Sequence, residues 1–115
     1  MSRQSISVLA LTVTAGGTIA ENRFVTPAGA QAGADANTLG VCRQAAVVSD
    51  KVTVDVLGTA IVEAGAAVAA GASLKSDASG RAITWVTSGA KVGIALEAAG
   101  AAGQMIEVLL VPNAA

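Results

Sequence analysis

The residue types that usually carry chemistry are scarce in this chain, and those present stand apart. There is no histidine among the 115 residues, which removes the commonest general base and the commonest metal ligand together. Cys42 is the one cysteine. A thiol nucleophile needs a neighbouring base, and a zinc site needs further Cys or His ligands. Cys42 therefore reads as a small buried apolar residue. A single thiol also precludes an intrachain disulfide, which fits folding in a reducing cytoplasm. Serines and lysines are present, but no spacing marks a Ser–Lys dyad. Glu97 and Glu107 flank an expected turn and so approach one another. An acid–base pair would also need an enclosing pocket and separated pKa values, so solvated strand-end charges are expected. The glycines from Gly65 to Gly71 do not cradle phosphate, because no Gly-Lys-Ser/Thr follows and no dinucleotide fingerprint opens a helix. Neither catalytic residues, nor a cofactor, nor a metal is expected.

Charge narrows the partners. Seven basic and eight acidic residues leave a net charge of −1, with the signs interspersed. Lys51, Lys75, Lys91 and the four arginines are scattered, whereas nucleic-acid binding needs clustered cations or an aromatic ladder. Mean hydropathy is +0.64, yet the longest uncharged run, Gln4–Ala20, is broken by five hydroxyl residues and Gly16-Gly17. It is too short and too polar for a spanning helix. Read as a signal peptide it lacks a convincing cleavage site. No nucleic-acid or membrane partner is expected, and the run reads as a strand.

The elements that position these residues follow from period and punctuation. Ser5–Thr14 places Ile6 and Val8 on one parity and Leu9, Leu11 and Val13 on the other. A bulge near Val8–Leu9 explains the switch, as does a strand apolar on both faces. Gly16-Gly17 turns into an extended Thr18–Thr26. Residues 27–38 form an Ala/Gly-rich loop without large apolar side chains, expected to be held by a neighbouring subunit if ordered. Strands are expected at Val41–Val48, turned by Ser49-Asp50, and at Lys51–Leu57, where Val52, Val54 and Val56 face inward and Thr53 and Asp55 outward. Gly58 ends or bends that strand and Ala60–Val62 continues it. Further strands are expected at Arg81–Ser88, Lys91–Ala95 and Met105–Val111, with Leu96–Gly103 a loop or helical turn.

Gly65-Ala-Ala-Val68-Ala-Ala-Gly71-Ala-Ser-Leu74 reads as a tight turn tucking Val68 and Leu74 into a β core. Ser76-Asp-Ala-Ser-Gly80 then forms a hairpin loop. The Gly-x-x-Val-x-x-Gly-x-x-Leu spacing also occurs in biotinyl and lipoyl carrier domains, but no lysine here has the flanks of a modified carrier lysine. The chain is read as one domain over 1–115, mainly β. It is a small β-barrel or tulip-like sandwich with at most one or two short helical turns. Alanine fills about a quarter of it and only Phe24 and Trp85 are aromatic, so the core is thin and subunit association adds burial.

Two segments carry a resemblance. Ala60–Arg81, and Val92-Gly-Ile-Ala-Leu-Glu-Ala-Ala-Gly-Ala-Ala-Gly-Gln-Met-Ile-Glu-Val-Leu-Leu, resemble the capsid cement or head decoration proteins of tailed bacteriophages. In that family a Gly-x-Ala-Leu-Glu-Ala segment runs into a Gly-x-x-Ile-Glu-Val-Leu strand, as Gly93–Ala98 and Gly103–Leu109 do here. Length and Gly/Ala content are also similar to those of the lambda head decoration protein. The resemblance implies a β-rich barrel or tulip fold. It also implies a homotrimer, made in the host cytoplasm, that binds the major capsid protein on the outside of the expanded shell at capsomer junctions. The alternative is another virion module, such as a fibre base or a small adhesin-like β domain. No site residues transfer from the motifs. From the residues themselves, the N-terminal arm within 1–14 supplies candidate partner contacts at Ser2, Arg3, Gln4, Ser5, Ile6 and Val8, where an alternating segment could add a strand to a capsid edge. An ordinary edge strand of its own barrel is the other reading. Trp85 is the candidate oligomer or core anchor.

Overall fold

The computed structural model describes residues 6–111, which form a single eight-stranded sheet curled into a small, nearly closed barrel. The strands are β1 (Ser7–Thr14), β2 (Phe24–Val25), β3 (Gly40–Cys42), β4 (Lys51–Glu63), β5 (Ser73–Ser76), β6 (Ala82–Thr84), β7 (Gly93–Ala95) and β8 (Met105–Leu110). Their order is β2-β3-β4-β8-β7-β5-β6, with β1 added to β4, and every ladder is antiparallel. No helix occurs among the described residues, so none there is long and apolar enough to cross a membrane. Mainly β and barrel-like is the fold that the alternating runs imply.

The long strand β4 organises the molecule. Its first half pairs with both β1 and β3, and its second half with β8. Val52 and Val54 point into a smaller core cluster with Ile19, Val25, Cys42 and Ala46. Beyond Gly58, Ala60 and Val62 point into a larger one with Phe24, Leu74, Val92, Ile106 and Val108. The period-2 pattern thus holds through Val56, which is half-buried but packs against the same cluster as Val52 and Val54 and has no register partner in β1. A second irregularity leaves Val8 unpaired. The parity switch at Val8–Leu9 is therefore a bulge, as the alternating pattern allowed.

The ends of the sheet are tied together. Phe24 N–H donates to Gly80 O, and Ala64 and Ala82 form a parallel bridge. Arg23 adds side-chain links, from Nη1 to Ser79 O at 2.9 Å and from Nη2 to Glu63 at 3.2 Å. The turn around Val68 buries Val68 and Leu74 as expected. In the β5–β6 hairpin the Asp77 carboxylate accepts the N–H groups of Ser79 and Arg81, an Asx-type turn.

Several elements differ from the sequence reading. The expected Val41–Val48 strand shortens to Gly40–Cys42 plus one bridge from Ala46 to Ile19. That leaves Val47 and Val48 exposed at the turn. The Arg81–Ser88 strand stops at Thr84, because Trp85 Nε1–H donates to Gly89 O and folds the next residues into a loop. Residues 27–38 are held by their own chain rather than waiting for a neighbour. Ala32 is buried and donates to Phe24 O, while Asp35 pairs with Lys75. Small residues pack closely against backbone, which compensates for their lack of apolar area.

Candidate docking surface

β1 is a strand laid on the outside. All its residues except Val13 are exposed, Val8 to 74 % and Leu9 and Leu11 to 41 % each. Among the described residues it forms no ladder except with β4, so its outer edge presents unpaired backbone groups. The sequence explains the position. Val8, Leu9 and Leu11 give β propensity on both faces, while no charged residue occurs in the segment to anchor either face in water. At its start, Ile6 N–H donates to Thr59 Oγ1 at 2.9 Å and Thr59 N–H donates to Ile6 O at 2.8 Å.

Ile6 and Val8, two of the candidate contacts, are thus exposed side chains beside the β4 bend. Ser2, Arg3, Gln4 and Ser5 lie outside the described residues. Trp85 belongs to neither core cluster. It is half-buried beside exposed Val86, and Lys91 Nζ sits 4.3 Å from its ring centroid, a cation–π contact at the surface.

A second apolar row crosses the outer face of the barrel. Thr59 pairs in register with Leu109, and Leu109 with Ile94. Directly opposed residues share a face, so exposed Ile94 and Leu109 stand side by side, with Ile6 across Thr59 from them. In the next row Ile61 opposes Glu107. Glu107 is not the solvated strand-end charge expected. It is only 2 % exposed, its N–H donates to Glu97 Oε1 at 2.8 Å, and its own Oε1 is buried without a hydrogen-bond partner. The sequence did bring Glu97 and Glu107 together, but the strand-end position hid the burial.

The other buried carboxylate is Asp55, expected to face outward. Arg43 reaches across from the β3 side and grips it, with Nε 2.9 and 3.0 Å from the two oxygens and Nη2 2.6 Å from Oδ1. This pair lines an open cavity of about 180 Å³ together with Asn22, Val41, Cys42, Ala60 and Ile61. The Cys42 thiol is buried and donates to Ala20 O, and burial pushes its pKa up. An unreactive thiol beside a neutralised ion pair has no means of activating a nucleophile. Among the described residues no three His, Cys, Asp or Glu side chains converge as a metal site would require.

Fold and surface together define a small β-barrel with, among the described residues, an exposed apolar strand and face. The family is established by the sequence as a whole: residues 3–110 match the phage cement protein family, and the chain belongs to it. It is accordingly a structural protein of the phage virion, associated with the capsid, and family and fold point to a non-enzymatic role. Among solved structures, the N base of the head fiber protein gp8.5 of bacteriophage phi29 has the same fold. The TM-score is 0.72 at 19 % identity, over 90 % of this chain and 93 % of that one. No curated protein matches the sequence.

Proposed function

We propose that the protein is a capsid cement that binds the major capsid protein on the outer surface of the expanded shell, as a homotrimer at capsomer junctions, and stabilises that shell. The observation that carries the reading is the family match over 3–110. The mechanism is differential binding. A cement adds stability only in so far as it favours the expanded lattice over the precursor or the disassembled shell. Each contact is modest, and an oligomer engaging several capsid subunits multiplies its hold through effective concentration. Within this reading the segment Ser2–Val8 docks on the shell by adding a strand to a capsid edge. The exposed side chains of Ile6 and Val8 support that placement.

Cosedimentation of the purified protein with expanded and with unexpanded shells tests it. Retention on expanded shells alone is expected, and failure to bind either would sink the proposal. Deleting residues 2–7 should abolish retention while leaving the oligomer intact. Unchanged affinity would remove the docking segment from the account. A second reading, a base for a head fibre, is favoured by the fold shared with the phi29 head fiber base. It predicts that the protein remains bound to a further virion protein after release from the shell.

A further inference from the structure

We propose that residues 33–38 form a clasp across the barrel seam, with Asp35 as its catch, and that this clasp opens and closes while the strands stay paired. The device goes beyond the capsid reading and does not depend on it.

The loop joining β2 to β3 divides in two. Its base is pinned, since Leu39 N–H donates to Val25 O at 2.7 Å, and its ends lie together as in an Ω-loop. The first half is tied to its own side of the seam: Ala32 N–H donates to Phe24 O, Gly16 N–H to Gly29 O and Ala20 N–H to Gln31 Oε1. The second half crosses, and it is fastened through Asp35. Asp35 N–H donates to Ser76 O at the end of β5, and Ala90 N–H donates to Asp35 O. The carboxylate receives Lys75 Nζ on Oδ1 at 2.8 Å and Ser88 Oγ on Oδ2 at 3.2 Å. Gly89 makes the seat, because a Cβ there would lie 2.8 Å from the Asp35 side chain. Asp35 itself holds φ at 60°, a left-handed conformation that aspartate tolerates better than most residues.

Little holds this half down besides the catch. Residues 33–38 include no large apolar side chain, and Ala36 packs against the larger core with small area to contribute. The Asp35 side chain is 42 % exposed, so water and salt screen its pairing with Lys75. One group opposes closure: Asn37 Oδ1 is buried without a hydrogen-bond donor, and swinging out hydrates it. Few apolar contacts and a solvent-screened catch characterise a segment that opens below the free energy of global unfolding. Opening frees Ser76 O and the Ala90 N–H and uncovers Ala90 at the larger core, while the β2–β3 and β5–β6 ladders stay paired.

Native-state amide exchange of the full chain tests the clasp. The Asp35 and Ala90 amides should be about tenfold or more less protected than Val92, whose N–H donates to Leu74 O. In urea below the unfolding transition their protection should stay flat, because opening exposes little surface, while that of Val92 falls. Gly71→Ala, remote from the clasp, destabilises the closed and the open barrel alike. It should therefore lower the protection of Val92 and leave Asp35 and Ala90 unchanged. Lys75→Met and Asp35→Asn each remove the charged pair and should lower protection at Ala90 about threefold or more. Asn37→Ala removes the orphaned acceptor and should raise it by about the same factor. Clasp amides that follow Val92 in urea and in the Gly71 variant would overturn the proposal, as would catch variants that leave Ala90 unchanged. Unchanged or lower protection in Asn37→Ala would remove Asn37 as the group opposing closure. Were a catch variant to unfold, the wild-type protection and its urea slope would still decide.

Discussion

Gly58 is where the fold can be tested most sharply. It sits at the β4 bend with φ +102°, a conformation that L side chains rarely adopt, and a Cβ there would collide with the Ile6 carbonyl oxygen. Gly58→Ala therefore does two things. It imposes backbone strain of about 1–3 kcal/mol. It also pushes the start of β1 away, weakening two Ile6–Thr59 hydrogen bonds worth about 0.5–1.5 kcal/mol each. Restricting the unfolded chain returns about 0.4–1 kcal/mol, so the expected loss is about 2–4 kcal/mol. With a urea m-value of about 1–3 kcal/mol/M for a domain this size, the midpoint should fall by about 1–2 M at fixed protein concentration. Gly71→Ala is the control. Gly71 also has positive φ, at +87°, but nothing lies within 4 Å of its Cβ position, so only the strain applies. Amide exchange should show Ser7–Leu9 losing protection in the Gly58 variant and not in the Gly71 variant. If the two variants lose equal stability and β1 exchange is unchanged, the claim that Gly58 seats the arm is wrong.

Other outcomes follow from the buried polar groups. Arg43→Ala strands the buried Asp55 carboxylate and should lower the urea midpoint, by less than breaking a fully buried pair would because Arg43 is half-exposed. The double variant with Asp55→Ala should recover part of that loss in urea titrations, and strictly additive losses would contradict the coupling. Asp35, beside Lys75 and Ser88, should titrate below the usual carboxylate value of about 3.9, chiefly through the Lys75 hydrogen bond. Its contribution to stability is then present above that value and lost as pH falls through the lower folded one. A titration by carbonyl NMR at or above the usual value would refute the contact. Cys42 should react slowly with a thiol reagent at pH 8 in the native protein and rapidly in urea, because burial raises its pKa and hides it. Rapid labelling of the native state would contradict that burial.

What the sequence disclosed depended on whether the signal was local. Val52 and Val54 announce their inward face, the Val8–Leu9 parity switch announces a bulge, and Ser76–Gly80 announces a hairpin, because each needs only neighbours in sequence. Asp55 is buried where the alternation predicts exposure because its partner, Arg43, reaches it from just beyond the end of β3. Trp85 still donates its N–H to Ser73 O of β5, but Val86 and Thr87 have strand propensity and no strand to pair with, so β6 ends at Thr84. The 27–38 loop looked unsupported because alanine packing is invisible until the opposing backbone is known. Of the exposed apolar surface, the strand Ser7–Thr14 was legible as a strand. The Leu109–Ile94 row was not, since outward and inward aliphatics look alike within short strands.

The antiparallel ladder between β1 and β4 also has a mechanical meaning. Its hydrogen bonds run across the strand axes. An arm pulled from its amino end, along β1, loads those bonds together in shear instead of opening them one at a time like a zip. Because β4 carries side chains into both core clusters, tension entering through the arm is spread over the whole barrel. Peeling β1 from the barrel by such a force would then be governed by the barrier to forced unfolding rather than by equilibrium stability alone.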